Sequence, residues 1–438
     1  MIHYKKHIIS ILSLIIFPFL CLGQQDALVI DLDQALEIAL SESNTIKIAD
    51  MTIEKSGYAQ KGAYASLYPN IGLSGSFQRT LKKQKMVMDM PTLPEPVEIE
   101  VGTSNNVSAG LSASMPLINA QLWESLKLSA LDVELAVEQA RSSKIALIAQ
   151  VKKAFYGILL AKESLNVMTQ VYDNAQKNYE ETEKKYAVGK SSEYERLRAQ
   201  VTMLNAEPNV SSAENSVTLS IWQLKALLGI DLNMDVDVKG SLNDYIDELL
   251  VPYNADNTLD GNSTLVQLGI QNRQLESSLR MTKFQYLPTL AASFGYNYVA
   301  MGNTFDMNWN PYSVAAVSLN IPIFNGFSKH NSIKQTKIAQ NMMAVQMEDT
   351  ERNIRIAMKN YNDQISLSIK NYHAASSTIE MAEKSYQISE KMYEVGKATI
   401  VDLNDAQLAL TQSQLTMFQA IYNYMVAKAS LDELIGKE

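Results

Sequence analysis

The chain has few of the residues that do chemistry. Of its 438 residues one is cysteine and four are histidine. The cysteine, Cys21, falls in an apolar N-terminal run from Ile8 to Leu22 that follows Lys5 and Lys6. That pattern is a secretory leader, residues 1–23, expected to be cut after Gly23 so that Gln24 begins the mature chain. Lipid attachment at Cys21 is the alternative, and Leu20 stands where a lipoprotein leader carries a small residue. Loss of the leader removes all disulfide and thiolate chemistry. His330 and His373 remain, at different depths of one expected helix, with no nucleophile motif or phosphate loop beside them. Neither an enzyme nor a cofactor or metal centre is expected.

Long hydrophobic runs are missing as well. Past the leader no stretch approaches the ~20 apolar residues of a spanning helix, so a mature chain that crosses a membrane must do so with strands. Positive charge is in deficit. The formal net charge is -9, and Lys5 and Lys6 leave with the leader, which argues against a nucleic-acid partner.

Proline is absent from residues 119 to 186, and there the chain is most regular. Trp123, Leu126, Ala130, Val133, Val137 and Ala140 begin a seam in alternating steps of three and four that continues to Tyr179, broken only by Lys144. Such a seam is the mark of a helix supercoiling against neighbours. At ~1.5 Å per residue the expected helix 119–186 is a rod of roughly 100 Å.

The chain repeats itself at about 207 residues. Leu67-Tyr68-Pro69 returns as Tyr286-Leu287-Pro288, Met115-Pro116-Leu117-Ile118-Asn119 as Ile321-Pro322-Ile323-Phe324-Asn325, and Tyr186-Ala187-Val188-Gly189-Lys190 as Tyr393-Glu394-Val395-Gly396-Lys397. Each copy reads helix, strand, strand, very long helix, tight turn, helix. The first repeat covers 24–229, an equatorial connector 230–262 with a short helix near Asp244 to Leu250, and the second repeat 263–438. The first copy opens with a helix from Leu32 to Leu67. The long helices are 119–186 and 326–393, and the returning helices 191–228, kinked at Pro208, and 398–435.

Four strands are expected at 71–79, 107–115, 290–298 and 313–321. Ile71, Leu73, Phe77, Val107, Leu111 and Met115 share one face, while Ser74, Ser76, Ser108, Gly110, Ser112 and Ser114 share the other. Their length and alternation suit tilted transmembrane strands, and Tyr296 and Tyr298 suit a membrane interface. Soluble hairpins are the plain alternative. Between the first two strands, a proline-bearing loop from Thr80 to Asn106 holds Met86, Met88 and Met90. These fit either a soft-cation site or a loop folded on the barrel rim.

From Tyr393 to Ala406 the chain reads Tyr-Glu-Val-Gly-Lys-Ala-Thr-Ile-Val-Asp-Leu-Asn-Asp-Ala. This segment resembles the tip of the TolC-like outer-membrane efflux protein family, and the resemblance extends over essentially the whole mature chain. It implies a mainly α fold with membrane β-strands. Long antiparallel coiled-coil helices form a periplasmic α-barrel tunnel, and each protomer of a homotrimer gives four strands to one twelve-stranded barrel. Strand number agrees, since four strands cannot close and eight leave no wet lumen. The implied location is the outer membrane, in contact with its lipid. The implied function is the exit duct of a tripartite efflux pump or type I secretion system, with a periplasmic adaptor and an inner-membrane pump as partners. A pore-less periplasmic scaffold or adaptor is the second reading.

In the family, two aspartates one turn apart narrow the inner mouth. Their matches are Asp402 and Asp405, which share a helical face; acids near a helix start also simply favour the macrodipole. The basic residue that latches neighbouring tips in some members falls on Ala398, beside Lys397, which leaves a rearranged latch of Lys397 with Glu195 or none. In the first copy Glu195 keeps the phase of Asp402, and Arg198 stands where Asp405 does. The turns Val188-Gly189-Lys190 and Val395-Gly396-Lys397 project from the rods toward the inner membrane and are the expected adaptor-docking tips.

Overall fold

A computed structural model describes residues 28–88, 97–251 and 258–437. The leader with Cys21, and the loop segment with Met90, lie outside the described residues. In chain order the elements are β1 (Leu28–Ile30), α1 (Leu32–Glu42), α2 (Asn44–Ala65), β2 (Asn70–Arg79), β3 (Gln84–Met88), β4 (Val97–Val101), β5 (Asn105–Ile118), α3 (Ala120–Ala187) and α4 (Glu193–Leu228). There follow β6 (Val236–Val238), a 3-10 turn (Leu242–Tyr245) leading into α5 (Ile246–Leu250), α6 (Ser263–Phe284), β7 (Thr289–Gly302), β8 (Trp309–Asn320), α7 (Ser328–Glu394) and α8 (Ile400–Ile435). Among the described residues no helix is long and apolar enough to cross a membrane.

The long rods α3 and α7 have 68 and 67 residues. Asn119 starts α3 by accepting, through its side-chain oxygen, the amides of Gln121 and Leu122, which are among the donors a helix start leaves unpaired. α4 runs unbroken through Pro208, so the expected kink does not interrupt it.

The opening helix is two pieces rather than one. At Ser43 the backbone leaves the helical region (ψ 133°) and the hydroxyl caps the Thr45 amide. Gly229, which ends α4 at φ +73°, packs so closely there that a Cβ would stand 2.8 Å from the Glu42 carbonyl. The second copy repeats this packing with Gly436, the end of α8, against Gly261. α2 and α6 are therefore the equivalent helices, each of 22 residues, and α1 belongs to the equator.

At that equator β1 and β6 form a parallel two-stranded ladder, which the sequence reading lacked. Ile30, Val236, Val238, Leu242 and Leu249 are buried with Phe155, Ile158 and Leu159 of α3 and with Ile421, Tyr424 and Leu431 of α8. The main core thus sits where the belt crosses the rods.

α3 packs against α2, α4, α6 and α8, and α7 against α6 and α8. The helical wall therefore reads α2 with α4, then α3, then α6 with α8, then α7. The sheet order is β2-β5-β7-β8. Each strand continues the wall helix next to it in sequence, so wall and sheet share the same two free edges.

Candidate functional site

The sheet is antiparallel throughout, with strands of 10, 14, 14 and 12 residues. Its register keeps the two faces apart. Leu73, Leu111 and Tyr296 form one cross-strand row and Ala292 with Val317 another, whereas Ser76 is level with Ser108 and Gly110 with Asn297. On the polar face the Ser76 and Ser108 hydroxyls lie 2.7 Å apart, and Asn297 folds over Gly110 where any side chain would collide. On the apolar face Tyr296, level with Leu111, meets Tyr298 edge to face at 5.6 Å, and Tyr68, Phe324 and Phe327 are exposed at the helix end. An aromatic row thus borders the apolar face at the helix end, as at a membrane interface.

The loop between β2 and β5 holds a hairpin, β3 with β4, in place of irregular chain. Met86 and Met88 point to the side of Ile99, while Lys85 pairs with Glu98 at 2.8 Å. Among the described residues, no cluster of histidine, cysteine, aspartate or glutamate suits a metal ion.

Both edge strands, β2 and β8, are unpaired on one side, an arrangement that a stable sheet does not leave open. β8 runs opposite to β2, so β8 of one copy can pair antiparallel with β2 of the next.

The opposite end of the molecule holds the tips. Gly189 and Gly396 have φ +73° and +74°, and open space surrounds both. Val188 and Val395 beside them are 69% and 68% exposed, so each turn presents an apolar side chain to solvent. Behind each turn a returning helix starts with a capping box. Ser192 caps the Glu195 amide and Glu195 accepts from the Ser192 amide at 3.0 Å. Thr399 and Asp402 do the same, with the Thr399 amide 2.8 Å from Asp402 Oδ2. Hydrogen bonds to the Thr399 hydroxyl and amide hold the Asp402 carboxyl below the usual range. The Ser191 hydroxyl, 2.7 Å away, does so for Glu195. Asp402 therefore fills the helix-start role whatever else it does, while Asp405, one turn on, is exposed.

Glu195 is engaged by Ser191 and Ser192, and Lys397 is not paired with it within one protomer. Other residues join the two tips instead. Tyr393 of α7 shares a 2.8 Å hydrogen bond with Thr182 of α3, and Lys185 Nζ lies 4.9 Å over the Tyr393 ring. Lys177 pairs with Glu390 at 3.5 Å, and Asn404 donates to Thr202 at 3.4 Å. The sequence carried one signal for this lock: Ile354, Met358, Ile365, Tyr372, Ala375 and Ala382, buried along α7, keep a three-and-four spacing that leads to Tyr393.

A family described as Outer membrane efflux protein matches residues 35–230 and 254–437. The outer membrane protein TolC of Vibrio cholerae is 24% identical over 343 residues, covering 76% of this chain and 77% of that protein. The cobalt-zinc-cadmium resistance protein CzcC of Cupriavidus metallidurans is 23% identical, covering 91% and 95%. Among solved structures, the Campylobacter jejuni CmeC outer membrane channel superposes with a TM-score of 0.74 at 16% identity, over 92% of this chain and 85% of that one.

Proposed function

The chain belongs to the outer membrane efflux protein family, whose members are outer-membrane exit ducts, and we propose that three copies close into one passive conduit. An inner-membrane pump drives it through a periplasmic adaptor that docks on the turns at Val188-Gly189-Lys190 and Val395-Gly396-Lys397. The coincidence of free edges carries this reading. β2 and β8 bound the sheet, α2 with α4 and α7 bound the wall, and exposed apolar residues line both wall edges: Ile48, Leu197 and Leu204 on one, Ile338, Met342 and Val345 on the other. One rotation can satisfy both layers at once, as a cyclic assembly requires.

At the inner mouth Asp402 and Asp405 of three copies bring six carboxylates together and narrow the duct. The lock at Thr182, Tyr393, Lys185, Lys177 and Glu390 holds the two tips of each protomer together, and docking at the turns pulls it apart. This lock lies within the protomer, whereas a latch of Lys397 with Glu195 would join neighbouring tips. Cargo is chosen by the pump, and the duct adds only the charge of its acidic mouth.

Extraction of the outer-membrane fraction in mild detergent should yield a heat-sensitive trimer that conducts ions in a planar bilayer. A monomer in the soluble periplasmic fraction would instead favour the pore-less scaffold.

A further inference from the structure

The returning helices carry a second regularity beyond their tips. From Asp402 and Asp405 the same 3,4 spacing continues along α8 through Ala409, Gln412, Thr416, Gln419 and Asn423. From Glu195 and Arg198 it continues along α4 through Thr202, Asn205, Asn209, Ser212 and Ser216. Both copies therefore place charge at the tip and then, on the same helical face, hydroxyl and carboxamide side chains with a single alanine among them. No acidic residue, lysine, arginine or histidine occurs in α8 between Asp405 and Lys428.

The structure puts both stripes on one side of the wall. Gln412, Thr416, Gln419 and Asn423 are exposed although α3 and α7 flank α8, and Asn205, Asn209, Ser212 and Ser216 are exposed likewise. The α8 stripe borders an open groove of about 510 Å3, and the tip-proximal α4 stripe, at Thr202, Asn205 and Asn209, one of about 400 Å3. Met168 of α3 lines both grooves, so both stripes look out over the same surface of α3. A solvated helix face ordinarily carries charges, as α7 does where Glu351 pairs with Arg355. A neutral hydrogen-bonding face several turns long serves a different purpose.

We propose that these stripes line the tunnel as an uncharged sleeve directly behind the acidic mouth. The sleeve keeps cargo wet without holding it. Hydroxyls and carboxamides both donate and accept, so they replace water for cationic, anionic or zwitterionic solutes alike, whereas a charged wall would retain one sign and repel the other. Charge selection is thereby confined to the mouth, and amphiphiles of either sign pass the rods. The inference rests on Asp402 and Asp405 facing the lumen.

Single cysteines test it, because the parent sequence holds cysteine only at Cys21. Trimers carrying Gln419→Cys, Asn209→Cys or Asp405→Cys are placed in planar bilayers, exposed to a cationic methanethiosulfonate reagent and checked for labelling by mass. The sleeve predicts labelling with loss of conductance, and of cation selectivity, at Gln419→Cys and Asn209→Cys, while the parent stays silent. Labelling without any change in current puts the stripes on the outer surface and overturns the sleeve. A response at Asp405→Cys alone overturns the sleeve and leaves the mouth intact. Silence at all three strikes the mouth reading and the sleeve together.

Discussion

Glu124 has one of the most enclosed carboxylates in the chain, 1% exposed. It joins α3 to α6 where the rods leave the barrel. Burial alone would raise its pKa. Hydrogen bonds from Ser277 at 2.6 Å and Arg280 at 2.7 Å, with Lys127 at 3.3 Å, outweigh burial and hold the pKa below the ordinary value. A depressed carboxylate pKa contributes stability that is present above the unfolded pKa and lost as pH falls through the folded one. The trimer should therefore lose stability on acidification below about pH 4, where unfolded glutamate titrates. Glu124→Gln removes the charge from those hydrogen bonds and should cost about 1.5–3 kcal/mol at neutral pH while flattening the acid limb. Thermal denaturation of parent and variant across pH 3–8 checks both; an unchanged acid limb would remove Glu124 as its source. Nothing in the sequence pointed to Glu124, because Ser277 and Arg280 arrive from a helix some 150 residues away and no periodic signal records a single buried group.

Among the elements, the strands and rods were legible because each repeats a period that its neighbours enforce. Alternation fixed the faces of β2 and β5, and the 3,4 seam fixed α3. The break at Ser43 was not legible, since α1 and α2 both read as good helix and the stop comes from Gly229 packing against it from the end of another helix. The parallel pair of β1 and β6 was hidden too: a three-residue strand is shorter than any pattern that could announce it. The strand assignment carries its own test. Leu73 and Leu111 share the apolar face, whereas Ser74 and Ser112 share the polar one. Arginine at Leu73 or Leu111 should cost roughly 2–4 kcal/mol near the bilayer midplane and lower trimer yield. Arginine at Ser74 or Ser112 should leave yield intact and shift conductance toward anions. Equal losses of yield from both sets would mean that the sheet does not separate lipid from water.

At the scale of the whole duct, closure depends on few contacts. Within each protomer the tips are joined by one hydroxyl pair, Thr182 with Tyr393, by Lys185 over the same ring, and by Lys177 with a half-buried Glu390. A net hydrogen bond contributes about 1 kcal/mol, and an ion pair with Lys177 in solvent no more than that, so in the proposed conduit the three protomers together would hold the mouth by roughly 6 kcal/mol. On the proposed reading, docking at the neighbouring turns would release such a lock, which in its absence would keep the resting duct shut. Tyr393→Phe with Lys177→Ala should raise the conductance of the purified trimer in a planar bilayer without adaptor or pump. The carboxylates of Asp402 and Asp405 would still crowd the mouth in that opened form, opposed by those of the other copies. Multivalent cations added from the tip side should therefore still block it, because clustered carboxylate oxygens bind them far better than monovalent ions. Adding Asp402→Ala and Asp405→Ala to the opened form should abolish that block and weaken cation selectivity. Lock and mouth thus separate cleanly. A lock variant that conducts like the parent removes Tyr393 from gating, and a block that survives the two alanines leaves Asp402 with its capping of α8 and nothing more.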